Sequence, residues 1–498
     1  MTLNPKKIYE DLIKGEIDKT TAADLLIYLI SNNDLIDLRE ECIETLLKVG
    51  VKNDKVFSVL ENLLVSDPNL EIRELAAKSL RTIFQEKALA PLTWALDHEN
   101  SWQLLLNLVS IIEELDNIKA RTIFFEKIKK INDFKFIKSL SKLVNTNDIQ
   151  NLKTKNLAEI FRNYIVINYF IDIIQEFKYQ IVDGLVVEVD LSFVANKTYG
   201  WKVLKHLSEF IAIINNLTKL RLKNNKIGKF PYSIFSLNSL KHLDFSYNDI
   251  SIIPDKFETL ISLEILNLRH NKLTSIPSSI GTLINLKKLD LKHNKLNNLP
   301  SSIGNLSSLE ILNLHGNQLD SIPTSMKALS SLKKLNLGLN NLKSIPKWIK
   351  NLSSLKKLSL GGNKSLPILE EWISYLPSIV EINLYDNGIK TIPDSISSLD
   401  SLEVIIIPNN QISSLPESFK NLRSLKKLDL SWNFLTLLPK WIDSLSLLEE
   451  LNLRGNQLSR IPESLYSLPS LKVLNITLNK NIIYPPNDLE RKDLKIMF

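Results

Sequence analysis

The feature that most constrains this chain is an asparagine that recurs with a fixed period. Six steps of 23 residues connect the first seven members, one step of 24 follows, and four further steps of 23 complete the series. The members are Asn225, Asn248, Asn271, Asn294, Asn317, Asn340, Asn363, Asn387, Asn410, Asn433, Asn456 and Asn479. A fixed period of this size predicts a solenoid of stacked structural units.

An apolar frame precedes each asparagine, as Leu286, Leu289 and Leu291 precede Asn294. We expect Leu289 and Leu291 to point inward from a short strand, and stacking of the copies to bury a continuous core. The asparagine amide can then bond turn backbone in its own and neighbouring coils, so the series itself is structural. Ten prolines share the period and open a segment that we expect to return along the outer side in helical or 3-10 turns.

The frame Leu-x-x-Leu-x-Leu-x-x-Asn resembles the leucine-rich repeat, and the return segment Leu-Pro-x-x-Ile-x-x-Leu looks most like the intracellular Ras-group variant of that repeat. The resemblance implies an α/β solenoid with a curved parallel sheet and a short helical or 3-10 convex side. It also implies a concave face that holds protein partners such as small GTPases or phosphatases. We predict twelve repeats over residues 217–480 and a C-terminal cap or tail over residues 481–498.

The first 178 residues read as helices. Two similar stretches contain Arg39 and Arg73, which lie 34 residues apart. The second stretch follows Asp67 and Pro68, and this segment resembles a HEAT repeat. This resemblance implies antiparallel helix pairs in an all-α domain, with arginine and aspartate bridging neighbouring turns; an ordinary helical bundle is the alternative. We predict HEAT-like repeats over residues 1–130 and a helical connector over residues 131–178. The combination of the two repeat types resembles multi-repeat proteins of Asgard archaea.

The pattern changes at residue 179 to an alternation around Asp183 and Gly184, a dipeptide that favours a two-residue β-hairpin turn. The stretch from Trp201 to Ile214 then reads as helix. A solenoid must cover the first apolar face of its array. We therefore predict that residues 179–216 form a hairpin and a helical N-terminal cap.

Composition narrows the class of protein. The single cysteine, Cys42, excludes an internal disulfide and a cysteine-rich zinc site. We see no secretory signal and no run of about 18 apolar residues that could span a membrane, so we expect a cytoplasmic protein. Residues 1–200 carry 25 basic and 30 acidic side chains, whereas residues 201–498 carry 37 and 25. The field of the basic array favours a partner with an acidic surface.

Catalytic motifs are absent from the sequence. It contains no phosphate-binding loop, no Gly-x-Ser-x-Gly and no His-Glu-x-x-His. Cys42 lies on an apolar helical stripe, which is typical of a core residue. Three histidines, His270, His293 and His315, would lie about 5 Å apart on neighbouring strands, but no carboxylate or thiol completes a metal site at their level. We expect no enzyme, no cofactor and no metal.

Function must then reside at the positions that the frame leaves free on the concave side. These positions are basic in repeats one to four, mostly glycine or serine in repeats five to seven, and apolar or aromatic in repeats eight to ten. Tryptophan, tyrosine and arginine are enriched among interface hot spots. The candidate partner-contacting residues are Arg221, Lys223, Tyr247, Arg269, His270, Lys292, His293, Tyr385, Ile406, Trp432 and Phe434.

These features predict a non-enzymatic scaffold or adaptor that binds a protein partner, steered by the basic repeats and anchored by the aromatic ones. Polyanion or nucleic-acid binding is one alternative, disfavoured because Asp244, Asp290 and Asp429 interrupt the same face. A self-assembling structural scaffold is another. The 24-residue step is either a tolerated slip in a convex loop or a change of curvature that sets the basic half against the aromatic half.

Overall fold

The computed structural model describes residues 4–145, 148–364, 366, 373–374, 376, 378–480 and 494–497. The chain divides into two compact units, Met1–Glu188 and Val189–Phe498. Each unit contains its own buried apolar residues: Leu26, Leu46 and Leu60 are fully buried in the first, and Leu289 and Leu291 in the second.

The first unit is helical between residues 5 and 174. Several helices begin at a side-chain cap, as where Asn53 and Asn69 accept the N–H of the residue three positions later; a side chain in this place satisfies an N–H that the helix itself cannot. The α-helices are α1 Pro5–Lys14, α2 Lys19–Ser31, α3 Ile36–Val49, α4 Asp54–Ser66, α5 Leu70–Phe84, α6 Leu89–His98, α7 Trp102–Glu113, α8 Ile118–Lys129, α9 Phe134–Asn145, α10 Asp148–Asn151 and α11 Thr154–Ile174.

A relay of charged side chains connects successive turns of this unit. Arg39 on α3 pairs with Asp67, whose side chain is almost fully buried. Arg73 on α5 donates to the carbonyl of Asp67 at 2.9 Å and pairs with Glu99 at 3.0 Å. Because each buried carboxylate has a guanidinium or backbone partner, its burial is compensated. The helices thus carry the arginine–aspartate bridge that the HEAT-like resemblance implies.

A hairpin follows α11. Its strands are β1 Lys178–Val182 and β2 Leu185–Asp190. Between them Asp183 and Gly184 both have positive φ, 50° and 79°, as a type I′ turn requires. A Cβ on Gly184 would lie 2.8 Å from the side chain of Leu140, so the turn packs closely on a helix. On α11, the buried Asn163 accepts the N–H of Val186 at 2.9 Å.

The second unit begins with a coil that continues the apolar frame without its asparagine. Val189, Leu191 and Val194 are buried, and Val194 occupies the place that an asparagine has in the later repeats. The N–H of Leu191 donates to the carbonyl of Arg221 at 2.9 Å, which joins this coil to the first repeat. Two short helices follow, α12 Gly200–Lys205 and α13 Leu207–Ile213.

Parallel strands of three residues then repeat along the unit. From β3 to β14, paired residues are 23 positions apart, except that Lys357 on β9 pairs with Glu381 on β10, 24 positions away. The strands are β3 Lys219–Arg221, β4 His242–Asp244, β5 Ile265–Asn267, β6 Lys288–Asp290, β7 Ile311–Asn313, β8 Lys334–Asn336, β9 Lys357–Ser359, β10 Glu381–Asn383, β11 Val404–Ile406, β12 Lys427–Asp429, β13 Glu450–Asn452, β14 Val473–Asn475 and β15 Lys495–Met497.

The central residue of each strand from β3 to β14 is buried, as the alternation of the frame predicts. Strand pairing stays in step across the 24-residue interval, so the extra residue belongs to the return segment after Asn363. Most of that segment lies outside the described residues, including Pro367 and Trp372. Both interpretations of the 24-residue step therefore stay predictions.

The return segments contain 3-10 helices, and all of those described except Phe257–Thr259 begin directly after a proline, such as Pro277 with φ −65°. The fixed φ of proline suits the entry to such a turn. In the described residues these helices are Tyr232–Ser236, Phe257–Thr259, Ser278–Thr282, Ser301–Asn305, Thr324–Ala328, Lys347–Asn351, Asp394–Ser398, Glu417–Asn421, Lys440–Ser444 and Glu463–Ser467.

The recurring asparagines join each coil to the one before it. The amide of Asn317 donates to the carbonyls of Leu291 at 3.0 Å and Leu314 at 2.9 Å, while its oxygen accepts the N–H of Leu296 at 3.1 Å. Asn225 makes the same kind of bond to the first coil, where it donates to the carbonyl of Leu191 at 2.7 Å. We call these residues the ladder asparagines; the structure confirms their bonding within and between coils.

A second ladder of short polar side chains, which the sequence analysis missed, runs along the ends of the strands. The side-chain oxygen of Asp290 accepts the N–H of Lys292 at 3.1 Å, an Asx turn that bends the chain after the strand. The equivalent acceptors are Asp190, Asp244, Asn267, Asn313, Asn336, Asn383, Asp429, Asn452 and Asn475. The spacing of Asp or Asn four residues before nine of the twelve ladder asparagines was visible in the sequence.

We predict that Asn317→Ala lowers the free energy of unfolding by about 2–4 kcal/mol. The change leaves the N–H of Leu296 buried without a partner, at a cost of about 1–3 kcal/mol. The carbonyls of Leu291 and Leu314 keep the amides of Asn294 and Asn340 but each lose one hydrogen bond, worth about 0.5–1.5 kcal/mol. Urea unfolding followed by circular dichroism measures the effect. Asn341→Ala, at an exposed position one repeat further on, is the matched control. Equal midpoints for the two variants would contradict the prediction.

Candidate functional site

The residue immediately before each ladder asparagine adopts the left-handed αL conformation. Its φ lies between 50° and 78° in all twelve repeats, and Phe193 in the first coil has φ 63°. We call these positions the αL row. Its members are Phe193, Asn224, Tyr247, His270, His293, Gly316, Leu339, Gly362, Asp386, Asn409, Trp432, Gly455 and Leu478.

The αL row contains two groups of residues: those that adopt positive φ easily and bulky residues that adopt it only with strain. Glycine adopts this conformation without strain, and asparagine and aspartate adopt it readily. A bulky side chain costs about 1–3 kcal/mol there. Tyr247, Leu339 and Trp432 therefore occupy positions that local conformational preference would give to glycine. Backbone strain of this kind concentrates at functional sites, which makes the row a candidate surface.

Glycines in adjacent repeats make room for the large side chains. A Cβ on Gly455 would lie 2.7 Å from the indole of Trp432, and a Cβ on Gly316 would lie 2.3 Å from the ring of His293. Gly361 has the same relation to Tyr385 at 2.0 Å. Gly316 and Gly361, in the middle repeats, thus leave space that the side chains of neighbouring repeats occupy.

The predicted contact residues occupy four kinds of position. Arg221 and Ile406 are the last residues of strands β3 and β11. Two residues beyond the strand end lie Lys223, Arg269, Lys292 and Tyr385, and one further on, in the αL row, lie Tyr247, His270, His293 and Trp432. Phe434 follows its ladder asparagine. Only two of the eleven predicted contact residues therefore belong to strands.

Ile406 has a local explanation that the sequence analysis did not consider. Most other repeats place an Asx acceptor at this position for the N–H two residues later, but that residue here is Pro408, which has no N–H. The acceptor is therefore unnecessary at residue 406. An apolar side chain can occupy the strand end at no cost in hydrogen bonding, and Ile406 is partly exposed.

Four rings from consecutive repeats form a continuous stack, which we call the ring column: Tyr247, His270, His293 and His315. The rings of Tyr247 and His270 are parallel, with centroids 4.2 Å apart. His270 and His293 are 4.5 Å apart, and His293 and His315 are 5.3 Å apart in an edge-to-face arrangement. Successive repeats thus hold these rings in contact.

Cations flank the Tyr247 end of the ring column. The Lys223 ammonium lies 5.2 Å from the centroid of Tyr247 and 5.3 Å from that of Phe193, and the Arg269 guanidinium lies 5.2 Å from Tyr247. These distances fall within the range of cation–π attraction. Phe193 is 45% exposed, so the coil before the first repeat contributes to the same surface.

Many other lysines of this unit pair with the neighbouring repeat. Lys287 pairs with Glu264 at 2.7 Å, and Lys472 pairs with Glu449 at 2.6 Å, near the starts of their strands. Further pairs of this kind involve Lys272, Lys333, Lys357, Lys426 and Lys427. Among the described residues, Lys223, Arg269 and Lys292 have no such carboxylate partner. The positive charge of these three residues, which lie on or beside the ring column, is therefore not neutralised by an ion pair.

A second exposed patch lies in repeat ten. Trp432, Phe434 and Leu437 are each 49% exposed. The guanidinium of Arg454 lies 5.8 Å from the Trp432 ring. A large apolar side chain that the frame does not require and that remains half exposed is typical of an interaction surface.

The histidines of the ring column favour the neutral state. Burial, with smaller contributions from His293, Arg269 and Lys292, lowers the pKa of His270; Asp290 opposes the shift. Burial and then Lys292 lower the pKa of His293, again opposed by Asp290. Burial, followed by the charges of Lys292 and His293, lowers the pKa of His315 to about 4.

Other candidate chemistries find little support in the described part of the chain. Cys42 is fully buried, and burial raises the pKa of its thiol to about 12, as suits a core residue. No group of three or more His, Cys, Asp or Glu side chains is placed to hold a metal ion within the described ranges. None of the described helices is long and apolar enough to cross a membrane.

Comparisons with known proteins agree with this geometry. A family model described as "Leucine-rich repeat region" matches residues 274–379 and 373–484, and one described as "Leucine rich repeat" matches residues 215–273. The chain belongs to the leucine-rich repeat proteins. A search of curated proteins returns no match.

Several solved structures resemble the chain. A leucine-rich repeat protein of Leptospira interrogans is 31% identical, with 59% of this chain and 86% of that one covered and a TM-score of 0.45. An internalin of Listeria monocytogenes is 23% identical over 58% of this chain and 88% of that one, with a TM-score of 0.47. The ectodomain of an Arabidopsis thaliana receptor kinase is 29% identical, with 54% and 36% covered and a TM-score of 0.45.

We predict that Trp432→Gly is more stable than Trp432→Ala by about 1 kcal/mol. Both variants remove the same indole, but alanine retains the strain of positive φ and glycine does not. Urea unfolding of the two proteins measures the difference. Glycine normally destabilises relative to alanine because the unfolded chain gains freedom, so an alanine variant of equal or greater stability would contradict the role of backbone strain here.

We predict that acidification destabilises the array partly through His315. Its pKa in the folded state, about 4, lies below the ordinary value of 6.5, so the unfolded chain takes up a proton first and stability falls as the pH drops below about 6.5. The ring is partly exposed, so we expect a modest effect: His315→Gln reduces the loss of Tm between pH 7 and pH 5 by about 2 °C. An unchanged difference would contradict it.

Proposed function

We propose that this protein is a non-enzymatic adaptor that binds a protein partner through the face formed by its strand ends and αL row. The observation that carries the proposal is the strained presentation of Tyr247, His270, His293 and Trp432, which the fold itself does not require. Natural sequences keep such strain where it serves a function.

The two ends of the face have different roles in this proposal. The unpaired cations Lys223, Arg269 and Lys292 steer an acidic surface toward repeats one to four. Trp432 and Phe434 then anchor the complex by burying apolar area, together with Tyr385 and Ile406.

The Ras-group resemblance of the return segments suggests a small GTPase or another signalling protein as the partner, in the cytoplasm. The single buried cysteine, Cys42, suits such a reducing compartment. These finer assignments rest on the sequence pattern.

Nucleic-acid binding is the weaker candidate. Proteins that hold single strands offer open ring faces on which bases stack. In the ring column, the faces of Tyr247 and His270 cover each other at 4.2 Å. Self-assembly is the other candidate, and light scattering of the purified protein across a concentration series tests it directly.

We predict that Trp432→Gly and Ile406→Asp each reduce partner capture at least tenfold without lowering the melting temperature. Glycine fits the αL position of Trp432, and aspartate is the residue that β4, β6 and β12 carry where β11 has Ile406. Both changes are thus compatible with the fold. Immobilised wild-type and variant proteins are incubated with native lysate, and the captured proteins are quantified by mass spectrometry.

Leu447→Ala is the matched control. Leu447 is 47% exposed, nearly as much as Trp432, but it lies between a 3-10 helix and the next strand, away from the αL row. Its variant should capture the same proteins as the wild type. If Trp432→Gly and Ile406→Asp also capture them unchanged, the proposed face is wrong.

A further inference from the structure

The ring column has a composition that partner anchoring alone does not explain. Three of the six histidines in the chain occupy it, in successive repeats. Two of them, His270 and His293, have positive φ at positions where glycine would be unstrained. A purely apolar anchor would use phenylalanine or tryptophan, and a purely cationic one would use lysine. Histidine adds a group whose charge changes near neutral pH.

The stacking fixes which part of each ring meets a ligand. Tyr247 and His270 lie face to face and His270 touches His293, so the ring faces are largely occupied by one another. The ring edges are what remains, and the edge of an imidazole carries a hydrogen-bond donor and an acceptor. We therefore expect a ligand at the Tyr247–His270–His293 part of the column to meet imidazole edges and not open ring faces.

The charges around the column favour an anion. Among the described residues, Lys223, Arg269 and Lys292 have no carboxylate partner, and the Nε of Arg269 is buried without a hydrogen-bond partner. The carboxylate that acts on the pKa of His270 and His293 is Asp290, which is 7% exposed and accepts the N–H of Lys292. The available charge at this surface is therefore positive.

We propose that the ring column binds an acidic peptide segment of the partner and takes up protons as it does so. This inference rests on the proposed function and specifies both the chemistry of the bound segment and its regulation. Carboxylates of the segment pair with Lys223, Arg269 and Lys292 while their remaining oxygens accept hydrogen bonds from the imidazole edges. Protonation makes both imidazole nitrogens donors and adds a charge opposite to that of the ligand.

The groups that face the histidines determine the direction of the pH effect. In the free protein, burial, His293, Arg269 and Lys292 favour neutral His270, and Asp290 opposes them. Burial and Lys292 favour neutral His293, again opposed by Asp290. A bound carboxylate adds the missing negative charge and raises the pKa of both rings. Because the bound state then holds more protons than the free state, affinity increases as the pH falls.

The test uses the full chain and a fluorescein-labelled twelve-residue peptide of alternating Glu and Gly, with Gln replacing Glu in the control peptide. Fluorescence anisotropy at constant ionic strength gives Kd at pH 7.5, 6.5 and 5.5. We expect Kd to fall about tenfold from pH 7.5 to pH 5.5, and no comparable binding of the Gln peptide. Circular dichroism at each pH checks that the array remains folded.

Two kinds of variant separate charge from proton uptake. The double variant His270→Asn, His293→Asn keeps side chains that accept positive φ but cannot titrate. It should bind the Glu peptide at pH 7.5 within about threefold of the wild type and lose most of the pH dependence. Arg269→Gln should weaken binding at every pH. His98→Asn, which changes an exposed histidine of the helical unit, is the matched control and should behave as wild type.

Three outcomes would overturn the inference. The first is no binding of the Glu peptide at pH 5.5, and the second is a pH dependence that the double variant retains. The third is that a 20-nucleotide oligo-dT binds more tightly than the Glu peptide and that the double variant and Arg269→Gln abolish this binding. Failure here remains distinguishable from failure of the proposed function. If the Glu peptide does not bind while native partner capture still depends on Trp432, the adaptor function stands and only the assignment of the ring column is wrong.

Discussion

The hydrogen bonds of the ladder asparagines are the interaction on which the solenoid depends. Each turn after a strand buries backbone carbonyls that receive no hydrogen bond from a neighbouring strand. Asn317 satisfies one such carbonyl in its own coil and one in the coil before, and accepts an N–H from that earlier coil. Since a single repeat cannot bury its apolar side alone, this connection between coils is also what makes stability a collective property of the array.

The same turn produces the αL row. To place the asparagine side chain inside the coil, the residue before it adopts positive φ, and its own side chain remains outside. A structural requirement at one position thus creates an exposed position beside it in every repeat. The chain fills this position with glycine, with Asn or Asp, or with a bulky residue such as Trp432, and only the last choice needs an explanation beyond the fold.

Much of this architecture could be predicted from the sequence. The period of the asparagines, the inward leucines and the proline-led return segments are local patterns, and the structure confirms the leucine-rich repeat solenoid and a helical region before it. The Asp or Asn at the end of most strands was equally visible but was missed, because the sequence analysis treated these positions, Asp244, Asp290 and Asp429 among them, as part of the free surface.

The candidate site was harder to predict from the sequence, because it depends on backbone conformation and on contacts between repeats. The sequence placed Tyr247, His270 and His293 at equivalent positions, but it could not show that these positions require positive φ. It also gave no reason to include Phe193, whose coil lacks the asparagine that sets the register. Gly361 belonged to repeats whose free positions are mostly glycine or serine, and the sequence could not show that it lies against the ring of Tyr385.

The packing of large side chains against glycines of the next repeat limits which repeats can be removed or exchanged. Trp432 rests against Gly455 of the following repeat, so the two positions form a unit that spans a repeat boundary. Removal of repeat eleven would leave the 23-residue period intact but bring Trp432 against Leu478, which has the same αL conformation and a side chain of its own. The repeats share one backbone design, yet their order is not freely interchangeable. Recombination between them is constrained by these side-chain pairs even where the apolar frame is identical.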